Sequence, residues 1–215
     1  MKSEERNGKV VAVWLALATG MRRGEALGLV WRNVDLERGI LRITQQLDKR
    51  GELREPKSET SKRPLHIDEG TVKFLGEWKD MQSEYFFNSQ PVPGDFPVCC
   101  NSQLGRSDTN FLSTSVFDKW CRTFFIEHGL AHYKKEVEWI DSRGIKRVRK
   151  IGYEGFNFHE LRHTQATLLI GCGADFKTVQ NRMGHSTSSL TMDIYAHAIP
   201  QNNKEAADFI GGFLA

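Results

Sequence analysis

The residues of this chain best equipped for chemistry fall in three short strings and one tyrosine. The strings are Thr19-Gly20-Met21-Arg22-Arg23-Gly24-Glu25, His159-Glu160-Leu161-Arg162-His163-Thr164 and Met183-Gly184-His185, and Tyr195 follows ten residues after His185. Two arginines suit an anionic phosphodiester. Displacement at phosphorus builds charge on the non-bridging oxygens, and a guanidinium meets two oxygens at once while staying charged at any working pH. Arg162 lies three residues after His159, so on a helix the two share a face and set a fixed cation beside a titratable imidazole. A phenol ionises near ~10, so Tyr195 needs a base or cationic surroundings before it attacks phosphorus. His159 and His185 fit that proton-handling role. Lys57, in the polar turn Pro56-Lys57-Ser58, is a candidate donor to the leaving 5′-oxygen. Together these groups equip a chain to cut a DNA strand and hold its end covalently. The scheme calls for no metal and no cofactor, and the sequence offers no carboxylate cluster or His/Cys ligand spacing for one.

Each signal alone has a plainer explanation. An H-x-x-R on a helix is usually a surface or capping pair, Gly184-His185 at a helix boundary is commonly a C-cap, and a lysine in a basic loop is usually solvated. The weight comes from the joint arrangement.

The rest of the chain must position these groups. At 215 residues it can bury a substantial core as one large domain or two small ones. Hydrophobic residues at 39% and charged residues at 27% describe an ordinary globular protein rather than a disordered one. The longest apolar run, Val10 to Ala18, falls short of the ~20 residues of a membrane span, and no signal-peptide cleavage pattern follows it. Cys99, Cys100, Cys121 and Cys172 show no disulfide-framework spacing and no C-x-x-C pair, which suits a reducing, cytoplasmic setting with thiols mostly in the core. Net charge is only +3, yet seven basic residues against three acidic ones lie between Lys134 and Lys150. Such a patch is either a solvated face or a phosphate-facing one.

The periodicities predict an α+β fold, mainly helical, with a small antiparallel sheet in the N-terminal third and an extra β-hairpin. Val10 to Ala18 reads as a buried helix ended by Thr19-Gly20, and a short helix should follow from Arg22 to about Leu29. Gly39 to Gln46, Leu53 to Pro56 and Arg63 to Ile67 suit strands, with a turn at Asp48 to Gly51 and a polar loop from Lys57 to Lys62. Asp68 should cap a helix whose Val72, Leu75, Trp78, Met81 and Tyr85 face one way. Gln90 to Asp108 reads as loop. Ser113 opens an amphipathic helix carrying Val116, Phe117, Trp120, Cys121, Phe124 and Phe125, whose aromatics belong to the core. Tyr133 to Ile151 looks like a hairpin around Asp141-Ser142-Arg143-Gly144. Helices are expected over 158–171, 175–183, 188–198 and 201–213.

In this order the strings resemble the catalytic domain of the tyrosine recombinases, of the phage and conjugative-element integrase group. Ala18-Thr19-Gly20-Met21-Arg22-Arg23-Gly24-Glu25, His159-Glu160-Leu161-Arg162-His163-Thr164, Met183-Gly184-His185 and Ile194-Tyr195-Ala196-His197 carry the likeness, which covers essentially the whole chain. The resemblance implies that Arg22 and Arg162 hold the scissile phosphate, with His185 hydrogen-bonding the same group. His159 would exchange the tyrosine proton, Lys57 would protonate the departing 5′-hydroxyl, and Tyr195 would be the nucleophile leaving a 3′-phosphotyrosyl link. Glu25 and His163 would support the site. Lys62 competes with Lys57 for the general-acid role. Lys62, Arg63, Lys146, Arg147 and Arg149 are expected to face DNA.

The same resemblance implies that 1–215 is the catalytic domain, without the core-binding and arm-binding domains that the family places before it, and that 201–215 docks on a neighbouring protomer. Implied partners are double-stranded DNA attachment sites, a tetramer assembled on DNA, and accessory DNA-bending or directionality proteins, with no membrane. The expected location is the bacterial cytoplasm, at the nucleoid when DNA is bound. Two other readings remain: a type IB topoisomerase, against which His159 and the short Gly-His to Tyr segment argue, and a catalytically silent DNA-binding remnant.

Overall fold

The computed structural model describes residues 7–56, 61–101, 110–184 and 192. Its first element, α1 (Gly8–Thr19), starts where the Asn7 side chain accepts from the backbone N–H groups of Lys9 (3.0 Å) and Val10 (3.2 Å). It ends where Gly20 takes the left-handed conformation, φ 71°, and donates to Ala16 O at 2.9 Å. Val11, Ala12, Leu15 and Ala16 are fully buried, making α1 the centre of the main core. The next helix, α2 (Arg23–Leu27), is shorter than the periodicity predicts, and Arg22 is its extended N-cap rather than a member of its first turn.

The expected antiparallel sheet is present with a different division of strands. β1 (Val34–Asp35), β2 (Ile40–Ile43) and β5 (Arg63–His66) form a three-stranded sheet in the order β1-β2-β5. β3 (Gln46–Leu47) and β4 (Leu53–Arg54) form a separate pair. The predicted strand from Gly39 to Gln46 is thus broken in two. The reason is tertiary: β3 is drawn onto the glycine-lined side of α2, where a Cβ on Gly24 would lie 2.8 Å from Leu47 O and one on Gly28 2.8 Å from Leu47 N. Gln45 Nε2 also donates to Gly28 O at 2.7 Å, pulling the chain out of line with β2.

Asp68 caps α3 (Glu69–Phe87), whose Phe74, Leu75 and Trp78 are buried. Burying side chains of this size contributes about 1.5–3 kcal/mol each. Tyr85, expected on that face, is 80% exposed. Phe86 and Phe87 take the interior instead, packing on Phe96. In α4 (Thr114–Glu127), Phe117, Cys121 and Phe125 are buried while Val116 is exposed, so the apolar stripe is narrower than expected. Cys99, Cys100 and Cys121 are buried free thiols and Cys172 is exposed. Burial pushes the Cys100 thiol up to about 11 and the Cys121 thiol to about 12.

The hairpin is longer than expected. β6 (Ala131–Ile140) and β7 (Lys146–Gly155) have ten residues each and pair from Ala131↔Gly155 to Ile140↔Lys146. Two helices close the described fold. α5 (Phe158–Gly171) is capped by Asn157, packs along α1, and turns Leu161, Arg162, Gln165, Ala166 and Ile170 inward. α6 (Phe176–Met183) is capped by Asp175 and packs on α5 through a small second core of Ala166, Ile170, Val179 and Met183. The helices expected over 188–198 and 201–213 lie outside the described residues, apart from the helical Met192. Among the described residues no helix is long and apolar enough to cross a membrane.

Candidate active site

The site is organised by the C-terminus of α6. The last carbonyls of an α-helix have no partner within it, and they form the negative end of its dipole. Here three consecutive carbonyls each accept from a different arginine. Arg63 Nε donates to Arg182 O at 2.8 Å, Arg162 Nη2 donates to Met183 O, and Arg22 Nη2 donates to Gly184 O at 2.8 Å. These guanidiniums come from β5, α5 and the α2 N-cap, so one helix end gathers three distant segments. Arg162 also donates to Gly20 O, tying the same point to the end of α1. Gly184 itself is left-handed, φ 62°, and a Cβ there would meet Arg63 Nη1 at 2.7 Å. Only glycine satisfies both demands.

Glu25 is the counter-charge of this cluster and is 2% exposed. Its Oε1 accepts from Arg22 Nη1 at 2.9 Å and from Arg63 Nη1 at 3.2 Å. Its Oε2 accepts from the Arg22 backbone N–H and from Arg63 Nη2, each at 3.0 Å. Burial pushes the Glu25 carboxyl up, but the Arg63 hydrogen bonds and charge, with those of Arg22, outweigh it and hold the group below its ordinary value. Glu25 thus bridges the Arg22 and Arg63 guanidiniums.

Arg162 is 3% exposed. Burial, then the charge of Arg22, draw its pKa down to about 9, still protonated at neutral pH. His159 stands exposed at the start of α5. Partial desolvation of its ring first, then the positive charges of His163 and Arg162, hold its imidazole below its ordinary value despite the opposing charge of Glu160. The neutral ring that this favours is the form able to accept a proton. The exposed His163 stands edge-on to it, ring centroids 4.7 Å apart. Arg22 and His159 both line an open cleft of about 950 Å³, together with Arg23, Lys49, Arg50, Arg54, Arg122 and Tyr153. Among the described residues no group of three or more His, Cys, Asp or Glu side chains is placed to hold a metal ion.

Of the residues singled out by sequence, the fold brings Arg22, Glu25, His159, Arg162 and His163 together. Lys57, His185 and Tyr195 lie outside the described residues. Lys62 is paired with Glu55 at 3.0 Å. Arg63 is corrected: it is 8% exposed, with its guanidinium on Glu25, Ser61 O and Arg182 O, so it is a buried part of the site floor and not a surface DNA contact. Arg182 was not anticipated. It donates to His66 O (3.0 Å) and Ala18 O (3.1 Å), adding a further tie between α6, β5 and α1. A signal for Arg63 existed, since Leu65 points inward and a strand repeats every two residues, which turns Arg63 inward too. On the hairpin, Lys146 pairs with Glu138 at 2.7 Å and Arg147 with Asp141 at 3.0 Å, while Arg149 makes no ion pair among the described residues.

A family model described as the phage integrase family matches residues 4–202. The chain belongs to that family. Among its relatives, the ICEBs1 integrase of Bacillus subtilis (strain 168) is 28% identical over 204 residues, covering 93% of this chain and 48% of that protein. A XerC-like tyrosine recombinase of Caldanaerobacter subterraneus is 30% identical over 206 residues, covering 90% of this chain and 46% of its own. This integrase-family chain therefore spans about half the length of those relatives. Among solved structures, the Tn1549 transposon integrase in complex with circular intermediate DNA superposes with a TM-score of 0.65 at 19% identity, over 94% of this chain and 59% of that one. The XerA recombinase gives 0.60 at 23% identity, over 93% and 56%. The α+β fold expected from the sequence is the fold of these recombinases.

Proposed function

We propose that this chain is the catalytic domain of a site-specific DNA recombinase, cleaving and rejoining strands by transesterification. The observation that carries the reading is the convergence of Arg22 and Arg162 on one helix end, with Arg22 and a proton-accepting His159 lining the same cation-rich cleft. Arg22 and Arg162 neutralise the scissile phosphate as charge develops on its oxygens. The Tyr195 oxygen forms a bond to phosphorus, and the bond from phosphorus to the 5′-oxygen breaks. The phenolic proton passes to His159, Lys57 supplies a proton to the departing 5′-oxygen, and His185, next after the clamped Gly184, hydrogen-bonds the phosphate. A 5′-hydroxyl from a partner strand then reverses the step. Because the phosphotyrosyl link keeps the ester energy, the reaction consumes no nucleotide cofactor.

The partners that follow are double-stranded attachment sites, a tetramer of the recombinase on DNA, and accessory bending or directionality proteins, at the bacterial nucleoid. A nicked suicide duplex bearing the attachment core tests the reading. The chain should form a covalent adduct with it, detected as a shifted band under denaturing conditions, and Tyr195→Phe should abolish that band. An adduct that survives Tyr195→Phe refutes the assignment. Loss of Arg22 or Arg162 should cripple cleavage about as severely, since the residues act as a unit.

A further inference from the structure

The β6–β7 ribbon reaches roughly 33 Å at ~3.3 Å per residue, and nearly all of its residues are exposed, so the core accounts for few of its side chains. Its register decides what each face carries. The pairs Lys135↔Ile151, Val137↔Arg149 and Trp139↔Arg147 put six side chains on one face, and Glu136↔Lys150, Glu138↔Val148 and Ile140↔Lys146 put six on the other. The second face is a ladder of ion pairs: Lys134–Glu154 at 2.6 Å, Lys150–Glu136 at 3.1 Å and Lys146–Glu138 at 2.7 Å. Three lysines meet three glutamates there, and the face is neutral.

The first face holds Lys135, Arg147 and Arg149 and no carboxylate of its own, with Val137 40% and Trp139 46% exposed between them. In the turn, Asp141 offsets Arg143 (3.9 Å) and also accepts from Arg147 at 3.0 Å. Lys135 and Arg149 make no ion pair among the described residues. The basic excess that looks scattered along the sequence is therefore concentrated on one side of the ribbon. The strand that carries that side also leads back to the candidate active site. Tyr153, next but one after Ile151 on β7, lines the cleft with Arg22, Arg122 and His159, and Arg122 lies 5.8 Å from its ring centroid.

We infer that the Lys135, Val137, Trp139, Arg147 and Arg149 face of the ribbon is a duplex-DNA-binding surface that extends the active-site cleft outward. Lys135 and Arg149, cations without an ion pair among the described residues, lie beside Arg147 and near a cleft lined by more basic than acidic side chains, which fits a polyanion, and a two-stranded ribbon is of a width that the DNA major groove admits. The lysine and arginines meet phosphates, and Trp139 and Val137 cover apolar sugar and base edges between them. Lys146, which sequence alone places among the DNA contacts, belongs to the neutral face. The inference rests on the reading of the chain as DNA-acting.

Two triple variants of the whole chain test it, because each removes three positive charges from the same ribbon: K135Q/R147Q/R149Q and K134Q/K146Q/K150Q. Binding to a fluorescein-labelled duplex is followed by anisotropy across a salt series. The first variant should weaken binding about tenfold or more and flatten the slope of log K against log salt by ~1.8 for the unpaired Lys135 and Arg149, and by up to ~2.7 where Arg147 exchanges Asp141 for a phosphate, at ~0.9 per lost phosphate contact. The second should stay within about twofold of wild type, as expected of charges already paired. Equal losses in both would mean bulk charge alone and would overturn the inference, as would an unaltered first variant. Should the first triple melt early by circular dichroism, Arg149→Gln alone repeats the test with an expected slope change of ~0.9. If V137S/W139S abolishes self-association in sedimentation while DNA affinity holds, the face docks protein and the inference is overturned. Wild type that binds no duplex at any salt would sink the functional reading and this inference with it; wild type that binds while its two faces behave alike sinks the inference only.

Discussion

The floor of the candidate site and the β6–β7 ribbon are built from the same chemistry, arginines and lysines set against carboxylates, and burial makes them behave differently. In the floor, Arg63 and Glu25 are 8% and 2% exposed, and each nitrogen of the Arg63 guanidinium is placed on an acceptor. Charges taken out of water survive only when fully partnered, so every residue of that cluster constrains the next. On the ribbon, the lysines of the ion-pair ladder are more than half exposed to water. Such pairs are worth little individually, which leaves the surface free to specialise by face without endangering the fold. Dense ionic contacts therefore mean rigid positioning in one region and individually weak, exposed pairs in the other.

The largest effect that could break this contrast is expected from Glu25→Gln. Removing one partner of a buried pair leaves Arg63 and Arg22 uncompensated and should cost about 3–5 kcal/mol of stability, read from urea unfolding at neutral pH. The pH dependence carries a sign. Because the folded Glu25 carboxyl is held below its ordinary value of 4.5, its stabilisation is present above that pH and is lost as pH falls through the folded value. The Gln variant should lack that part of the acid slope; an unchanged slope would show that Glu25 is not the linked group. A smaller loss is expected from Arg63→Lys, which keeps the charge but cannot span Glu25, Ser61 O and Arg182 O. Leaving buried acceptors unfilled should cost about 1–3 kcal/mol and lower strand cleavage with little change in DNA affinity. The smallest is Lys150→Ala on the ribbon, within about 0.5 kcal/mol of wild type by the same unfolding measurement. A ribbon lysine that cost as much as Arg63 would erase the distinction.

Much of the site was legible before any coordinates. Arg22, Glu25, His159 and Arg162 announce themselves by residue type, local spacing and order, and the fold gathers them. Local rules also found most helices, because caps such as Asn7, Asp68 and Asn157 act within a few residues of themselves. What local rules missed depended on contacts across the chain. Gln46 left the predicted strand, to form a separate one with Leu47, because Gly24 and Gly28 let a helix approach the Leu47 backbone. Tyr85 and Val116 have the right period for the core, but period says only which way a side chain points, not whether anything lies opposite. Arg63 reads as a surface cation until the inward face of β5 and the buried Glu25 are seen together.

By itself the sequence determined the chemical inventory, two arginines, imidazoles, a lysine and a phenol in a fixed order, and most of the described helices and strands. Tertiary structure alone decided how that inventory is held and where charge is left over. Arg22, Arg63 and Arg162 meet at three successive carbonyls because the dipole and unpaired acceptors of one helix end attract cations from distant segments. The basic stretch between Lys134 and Lys150 becomes one neutral face and one cationic face because strand register, a property of pairing and not of composition, sets which lysine meets which glutamate.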